Sequence, residues 1–282
     1  MLDYKITGFS DEISSDTTVQ FETLNRLGIE YFEPRGIDGK NISELDDDEA
    51  YALKEKMDKF GIKVSSVGSP IGKIDIADDF EAHMDLLARV IKTAKILDCK
   101  YIRVFSFFIK DGEYEKHQDE VLRRMCEMTS LAEREGVILL HENEKGIYGD
   151  NAERCAQVIE TINSDNLKAV FDPANFIQCG VVTYPHAFEI MKKHVVYMHI
   201  KDALTDGTVV PSGHGEGHLP QILQELSDMN YSGFLSLEPH LGSFEGLAAL
   251  ELGDEMEKLD KSDASKFEIA YNALKKVIEG VK

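Results

Sequence analysis

The sequence repeats one local pattern eight times: a short apolar run, then a longer segment whose apolar residues recur every three to four positions. Strand-like runs fall at 4–9, 30–35, 63–68, 101–107, 137–142, 167–172, 195–200 and 234–238. Helical patterns follow at 17–27, 47–60, 80–98, 115–135, 151–163, 184–194, 218–230 and 265–280. The third helix has the clearest stripe, with Phe80, Met84, Leu87, Val90, Ile91, Ala94 and Leu97 on one face. Three junctions share a motif: "RLGIEYF" at 26–32, "KFGIKVS" at 59–65 and "REGVILL" at 134–140, with "MNYSGFLSL" at 229–237 a looser copy. In each, a charged helix end meets Gly, which accepts the left-handed conformation of a helix C-cap, and a strand begins. Strands alternating with helices predict a parallel sheet. Eight such units in 282 residues predict an α/β fold closed into a single (β/α)8 barrel, not an open doubly wound sheet. No linker or low-complexity stretch interrupts the alternation, so residues 1–282 are expected to form one domain.

The strands "GVILL", "LKAVF" and "HVVYM" are apolar on both faces, as in a barrel with a packed interior and a helical coat. No segment approaches the roughly 20 apolar residues that span a bilayer. The first residues, "MLDYKITGFSDEIS", lack the basic-then-apolar pattern of a secretory signal. Thirty-one basic and 52 acidic residues leave a net charge of −21, which repels phosphate backbones and argues against nucleic acid as a partner. The four cysteines, Cys99, Cys126, Cys155 and Cys179, are widely spaced and form no C-x-x-C pair. Three lie in or beside helical patterns and read as free, buried thiols, and the set points to a reducing, cytoplasmic protein.

In a barrel, the chemistry sits at the C-terminal ends of the strands. Those ends read "GFSDE", "EPRG", "VGSP", "RVFSF", "LHENE", "FDPAN", "MHIKD" and "LEPH". The last four offer Glu142, Asp172, His199 and Glu238, each after an apolar run and at nearly the same depth. Singly, each has a plain structural explanation: a turn former before Pro173, a satisfied core histidine, two solvated strand ends. Together, on four consecutive strands, they form a mixed oxygen and nitrogen set suited to Mn²⁺, Mg²⁺, Co²⁺ or Zn²⁺ in an open coordination sphere. No sulfur ligand accompanies them, which argues against a closed structural zinc site.

The segments "HEN" at 141–143, "FDPAN" at 171–175, "HIKD" at 199–202 and "SLEPH" at 236–240 carry a resemblance. In their order and spacing, the chain resembles the xylose isomerase-like TIM-barrel superfamily over essentially its whole length. Within that superfamily it is similar to the sugar phosphate isomerase/epimerase group, which includes ketose 3-epimerases, inosose isomerases and dehydratases, and hydroxypyruvate isomerases. The resemblance implies that Glu142, Asp172, His199 and Glu238 bind one divalent metal ion. It also implies that Glu142 and Glu238 act as the acid/base pair on a small carbohydrate or polyol, and that a homo-oligomer is to be expected. Three positions depart from the ketose 3-epimerase pattern: Asn175 replaces a His, Tyr148 an acidic residue and Thr205 a basic one. The metal site is unaffected, but sugar specificity does not carry over.

A divalent ion on a carbonyl and its neighbouring hydroxyl stabilises an enediolate. Two glutamates working on opposite faces would then epimerise, whereas one glutamate serving two adjacent carbons would isomerise. Lys201, Asn175, Arg35 and His141 are candidates for holding substrate, and Asp202 for orienting Lys201 or His199. Arg103 lies mid-strand, where an ion pair is the simpler role. The glycine-rich "SGHGEGH" at 212–218 reads as a loop lining the substrate through His214 or Glu216. The long connection at 240–264 reads as a lid over the mouth. An inosose-type dehydratase would use the same enolate-forming step and is the nearest alternative. An endonuclease-IV-like repair enzyme would need more histidine ligands and a basic surface. A barrel that only binds sugar would not need two bases around a metal. "HENEKG" lacks the second histidine of the H-E-x-x-H metalloprotease motif.

Overall fold

A computed structural model describes residues 3–243 and 260–282. Eight strands ring the centre: β1 (Asp3–Gly8), β2 (Tyr31–Phe32), β3 (Lys63–Val64), β4 (Tyr101–Val104), β5 (Ile138–Glu142), β6 (Leu167–Phe171), β7 (Val195–Ile200) and β8 (Ser232–Leu237). Six of them form a continuous parallel sheet in the order β1-β8-β7-β6-β5-β4. β2 and β3 pair with each other and close the ring through a few backbone hydrogen bonds on either side. Glu33 N donates to Gly8 O at 2.9 Å, joining β2 to β1, and Val67 N donates to Tyr101 O at 2.9 Å, joining β3 to β4. The result is the expected (β/α)8 barrel.

The coat consists of α1 (Thr17–Arg26), α2 (Asp47–Phe60), α3 (Phe80–Ile96), α4 (Tyr114–Glu135), α5 (Ala152–Ile162), α6 (Pro173–Gln178), α7 (Phe188–Met191), α8 (Leu219–Asp228) and α9 (Ala264–Glu279). Local chemistry sets their ends. Asp46, Asp79 and Asn151 side chains accept amides of the first turns of α2, α3 and α5. Gly61 and Gly136 end α2 and α4 at φ 68° and 72°, the conformation the repeated motif required. One core lies between sheet and helices, where Ile102, Leu139, Phe171, Met198 and Leu235 meet Leu53, Leu87, Met125, Ile159 and Leu223. A smaller cluster of Leu140, Val170 and Tyr197 fills the barrel interior. Alternation along each strand turns these two sets to opposite faces.

Three expectations change. β2 and β3 are shorter than 30–35 and 63–68, because the chain leaves the ladder at Pro34, which has no N–H to donate. The helix expected at 184–194 begins only at Phe188; Tyr184 is extended (φ −131°, ψ 134°) ahead of Pro185, which disfavours helix at the preceding residue. All four cysteines are free, but Cys126 is exposed instead of buried. In the 240–264 connection, residues 244–259 lie outside the described residues, so the lid falls there too. Its ends meet where Ser243 N donates to Asp260 O at 2.8 Å. Among the described residues, no helix is long and apolar enough to cross a membrane.

Candidate metal centre

Glu142 is the last residue of β5, and Asp172 directly follows β6. His199 is the penultimate residue of β7, and Glu238 follows β8. Each points inward by strand alternation, and all four are buried. One ligand atom from each lies within 4.8 Å of the other three. The imidazole Nδ1 of His199 stands 2.9 Å from Glu142 Oε1, 3.4 Å from Glu238 Oε2 and 3.9 Å from Asp172 Oδ2. The four residues read from the sequence therefore converge.

The remaining contacts set the electrostatics. Lys201 Nζ lies 3.1 Å from Asp172 Oδ2 and 3.2 Å from Glu238 Oε2. Arg35 Nη1 is 3.3 Å from Glu238 Oε1, and Arg103 Nη1 is 3.4 Å from Glu142 Oε2. Burial alone would raise the Glu142 carboxyl, but His199 and Arg103 outweigh it and hold it below its ordinary value. Burial acts the same way on Glu238, and there Lys201 and His240 hold the carboxyl well below the usual range. Asp172 behaves differently: burial prevails over Lys201 and lifts its carboxyl to about 7. For His199, burial opposes the charged ring, but Glu142 and Glu33 carry its pKa well above the ordinary value.

These residues fit a divalent cation. Glu142 Oε2 and Asp172 Oδ2 are buried, and beyond the ion pairs with Arg103 and Lys201 neither oxygen accepts a hydrogen bond. Three carboxylates and one imidazole are a hard, oxygen-rich donor set, which a divalent ion satisfies. Glu142, Asp172, His199 and Glu238 would hold it.

Asp172 is also the N-cap of α6, accepting Asn175 N at 2.9 Å. Asn143, directly after β5, braces it, donating Nδ2 to Asp172 O at 2.8 Å and accepting Asp172 N at 2.9 Å. Asn175 Nδ2 reaches Glu142 Oε1 at 3.3 Å, so the structure brings Asn175 to the cluster together with Lys201 and Arg35. Arg35 is anchored, with Nε 2.8 Å from Asp11 Oδ2, Nη2 3.4 Å from Glu12 Oε1 and its guanidinium over Phe9. Burial raises the Glu12 carboxyl to about 7 beside His240 and Arg35.

The other candidates lie elsewhere. His141 alternates with Glu142 and so faces the helical coat, packed against Gly149. Burial pushes its imidazole down to about 4. His214 and Glu216 are exposed on their loop. Asp202 does not touch Lys201 or His199; its carboxylate accepts the backbone amides of Ala203, Gly213, Gly215 and Gly217 at 2.8–3.1 Å. Glu33 is a further buried acidic residue at this end of the barrel. Its signal was present in "EPRG", two residues before Arg35 and hence on the same inward face. Lys73, from the connection after β3, pairs with Glu144 at 3.0 Å, and Glu144 is another charge near Lys201.

A family model described as xylose isomerase-like TIM barrel matches residues 21–261. A search of curated proteins finds no match. Among solved structures, IOLI protein with a binding zinc atom is 20% identical, with a TM-score of 0.73 and 99% of both chains covered. A D-tagatose 3-epimerase-like protein is 18% identical, with a TM-score of 0.72, covering 98% of this chain and 97% of the other. A xylose isomerase-like TIM barrel protein from Mycobacterium smegmatis, in complex with magnesium, is 14% identical, with a TM-score of 0.69, covering 100% of this chain and 98% of the other. At these identities the likeness speaks for the fold.

Proposed function

The chain belongs to the xylose isomerase-like TIM barrel family, and from that premise we propose that it is an isomerase or epimerase of a small sugar or polyol. The observation that carries the reading is the buried quartet Glu142, Asp172, His199 and Glu238 at adjoining strand tips. In this reading the quartet holds one divalent ion, Mn²⁺, Mg²⁺, Co²⁺ or Zn²⁺. Similar structures that carry zinc or magnesium agree with such a site. When bound, the ion supplies Lewis acidity to the substrate carbonyl.

Glu142 and Glu238 act as the acid/base pair. Both carboxyls are held low in the metal-free protein, so either can serve as the base. One takes the proton from the carbon beside the carbonyl, leaving an enediolate. The other enters the step protonated, its proton drawn from solvent, and delivers it to the opposite face, which inverts the centre; the first then releases the proton it took to solvent. Should one carboxylate instead serve two adjacent carbons, the product is the aldose–ketose isomer. Lys201, Asn175 and Arg35 orient substrate hydroxyls. Residues 1–282 act as one domain, and the free thiols favour a reducing cytoplasm.

The test is solvent exchange in D₂O with Mn²⁺ across ketohexoses, ketopentoses and inososes. Deuterium is expected at the carbon next to the carbonyl of one substrate class, and its position names the reaction. Glu142→Gln and Glu238→Gln should each lower the exchange rate by about 10²–10⁴-fold. A metal-loaded protein that exchanges no substrate in the panel refutes the reading.

A further inference from the structure

We propose that Glu33 is the positioning residue of the metal site: its carboxylate accepts the Nε2–H of His199 and so fixes the tautomer that turns Nδ1 toward the ion. This rests on the reading that the quartet holds a divalent cation.

The two nitrogens of the His199 ring have different surroundings. Nδ1 faces the three carboxylates of the quartet. Nε2, the other ring nitrogen, lies 3.4 Å from Glu33 Oε2. A ligating imidazole gives one nitrogen's lone pair to the metal and carries its proton on the other. That proton needs an acceptor, because a buried N–H without one costs free energy. Glu33 is the acidic group at that nitrogen.

The carboxylate is held in place for this task. Its Oε2 accepts Tyr197 Oη at 2.8 Å and Ser236 Oγ at 2.7 Å. Tyr197 and Ser236 lie on β7 and β8, two residues before His199 and Glu238 respectively. Tyr197 Oη is in turn 2.9 Å from Ser65 Oγ, and Ser65 Oγ is 2.7 Å from Thr7 Oγ1. The layer beneath the quartet is therefore a polar network running through five strands or strand ends. It sits beside the apolar Leu140 and Val170 of the same interior. A carboxylate fully buried there is expensive to desolvate, and two hydroxyl donors to one oxygen do not account for it. Glu33 Oε1 and His199 Nε2 both lack a hydrogen-bond partner. The 3.4 Å separation is a few tenths of an ångström beyond an ordinary contact of about 3.0 Å.

The experiment uses chelator-stripped wild type and Glu33→Gln, titrated calorimetrically with Zn²⁺. Long-range ¹H–¹⁵N correlation spectra then assign the His199 tautomer in the Zn²⁺-loaded wild type. The expected result is Zn²⁺ on Nδ1, with a slowly exchanging proton on Nε2, and a 10–100-fold weaker Zn²⁺ affinity in Glu33→Gln. Glu33→Gln binding Zn²⁺ as tightly as wild type overturns the inference and leaves the quartet reading standing. Wild type that takes up no Zn²⁺ overturns both. Should Glu33→Gln fail to fold, the wild-type spectrum decides alone, because a His199 with its proton on Nδ1 contradicts the assignment.

Discussion

His83 shows how far burial moves a single titratable group. The ring is buried in α3, and its Nε2 accepts Gly72 N at 2.7 Å. Burial, reinforced by Arg124, pushes its pKa from 6.5 down to about 4. The unfolded chain therefore binds the proton first as pH falls. The neutral ring's contribution to stability is complete above about 6.5 and is lost as pH drops from there toward 4. Protonation would also turn the acceptor for Gly72 N into a donor. His83→Gln keeps an acceptor but has nothing to protonate. Its stability should decline less steeply than wild type over that window, by at most about 1.4 kcal/mol per pH unit. Urea unfolding at pH 7, 6 and 5 measures this; identical slopes would mean that the folded ring is not kept neutral. His83 had been invisible to the sequence reading because no pattern distinguishes a buried histidine from an exposed one on a helix. Glu142 and His141 make the opposite case. They are adjacent in a quoted motif, yet the pleat sends one to the site and the other to the helical coat.

The β7–α8 connection illustrates what an element contributes. Three amides of the loop 212–217 converge on one carboxylate, Asp202. Glycine at 217 follows from the same geometry, since a Cβ there would lie 2.7 Å from Asp202 Oδ1. Asp202→Ala should release the loop. Hydrogen exchange at Gly213, Gly215 and Gly217 should accelerate, and global stability should fall by about 1–3 kcal/mol. Unchanged protection of those amides would show that the loop is held by something else. Strand and helix existence was largely legible, because periodicity and caps are local properties. Where elements were misjudged, a proline was responsible: Pro34 ends β2 early, and Pro185 delays α7. The role of Asp202 was not legible, because it depends on a loop folding back over the chain two residues beyond β7.

At the scale of the whole molecule, three carboxylates are brought together at one end of a protein whose net charge is already −21. In the metal-free protein, Lys201, Arg35 and Arg103 offset them. A divalent ion that binds only the folded state must stabilise it by mass action. At a free concentration 100 times the dissociation constant the gain is about 2.7 kcal/mol, corresponding to a rise in Tm of roughly 5–10 °C. Thermal scans with Mn²⁺ and after chelation should show that difference. Equal Tm values would mean that the quartet holds no ion.

Hydrophobic periodicity, helix caps and strand-end residues act over a few positions, so the sequence by itself determined the alternation, the count of eight and the polar strand tips. The match of the xylose isomerase-like family model is consistent with that reading. Tertiary structure alone decided which tips share one space. Ring closure puts β1 beside β8, so that Arg35 from beyond β2 meets Glu238 from beyond β8, 203 positions later. It also placed Glu33 beneath His199, a contact between residues 166 apart in the chain that no local pattern encodes. A strand's pleat fixes the direction of each side chain, but only closure of the barrel fixes what that side chain meets.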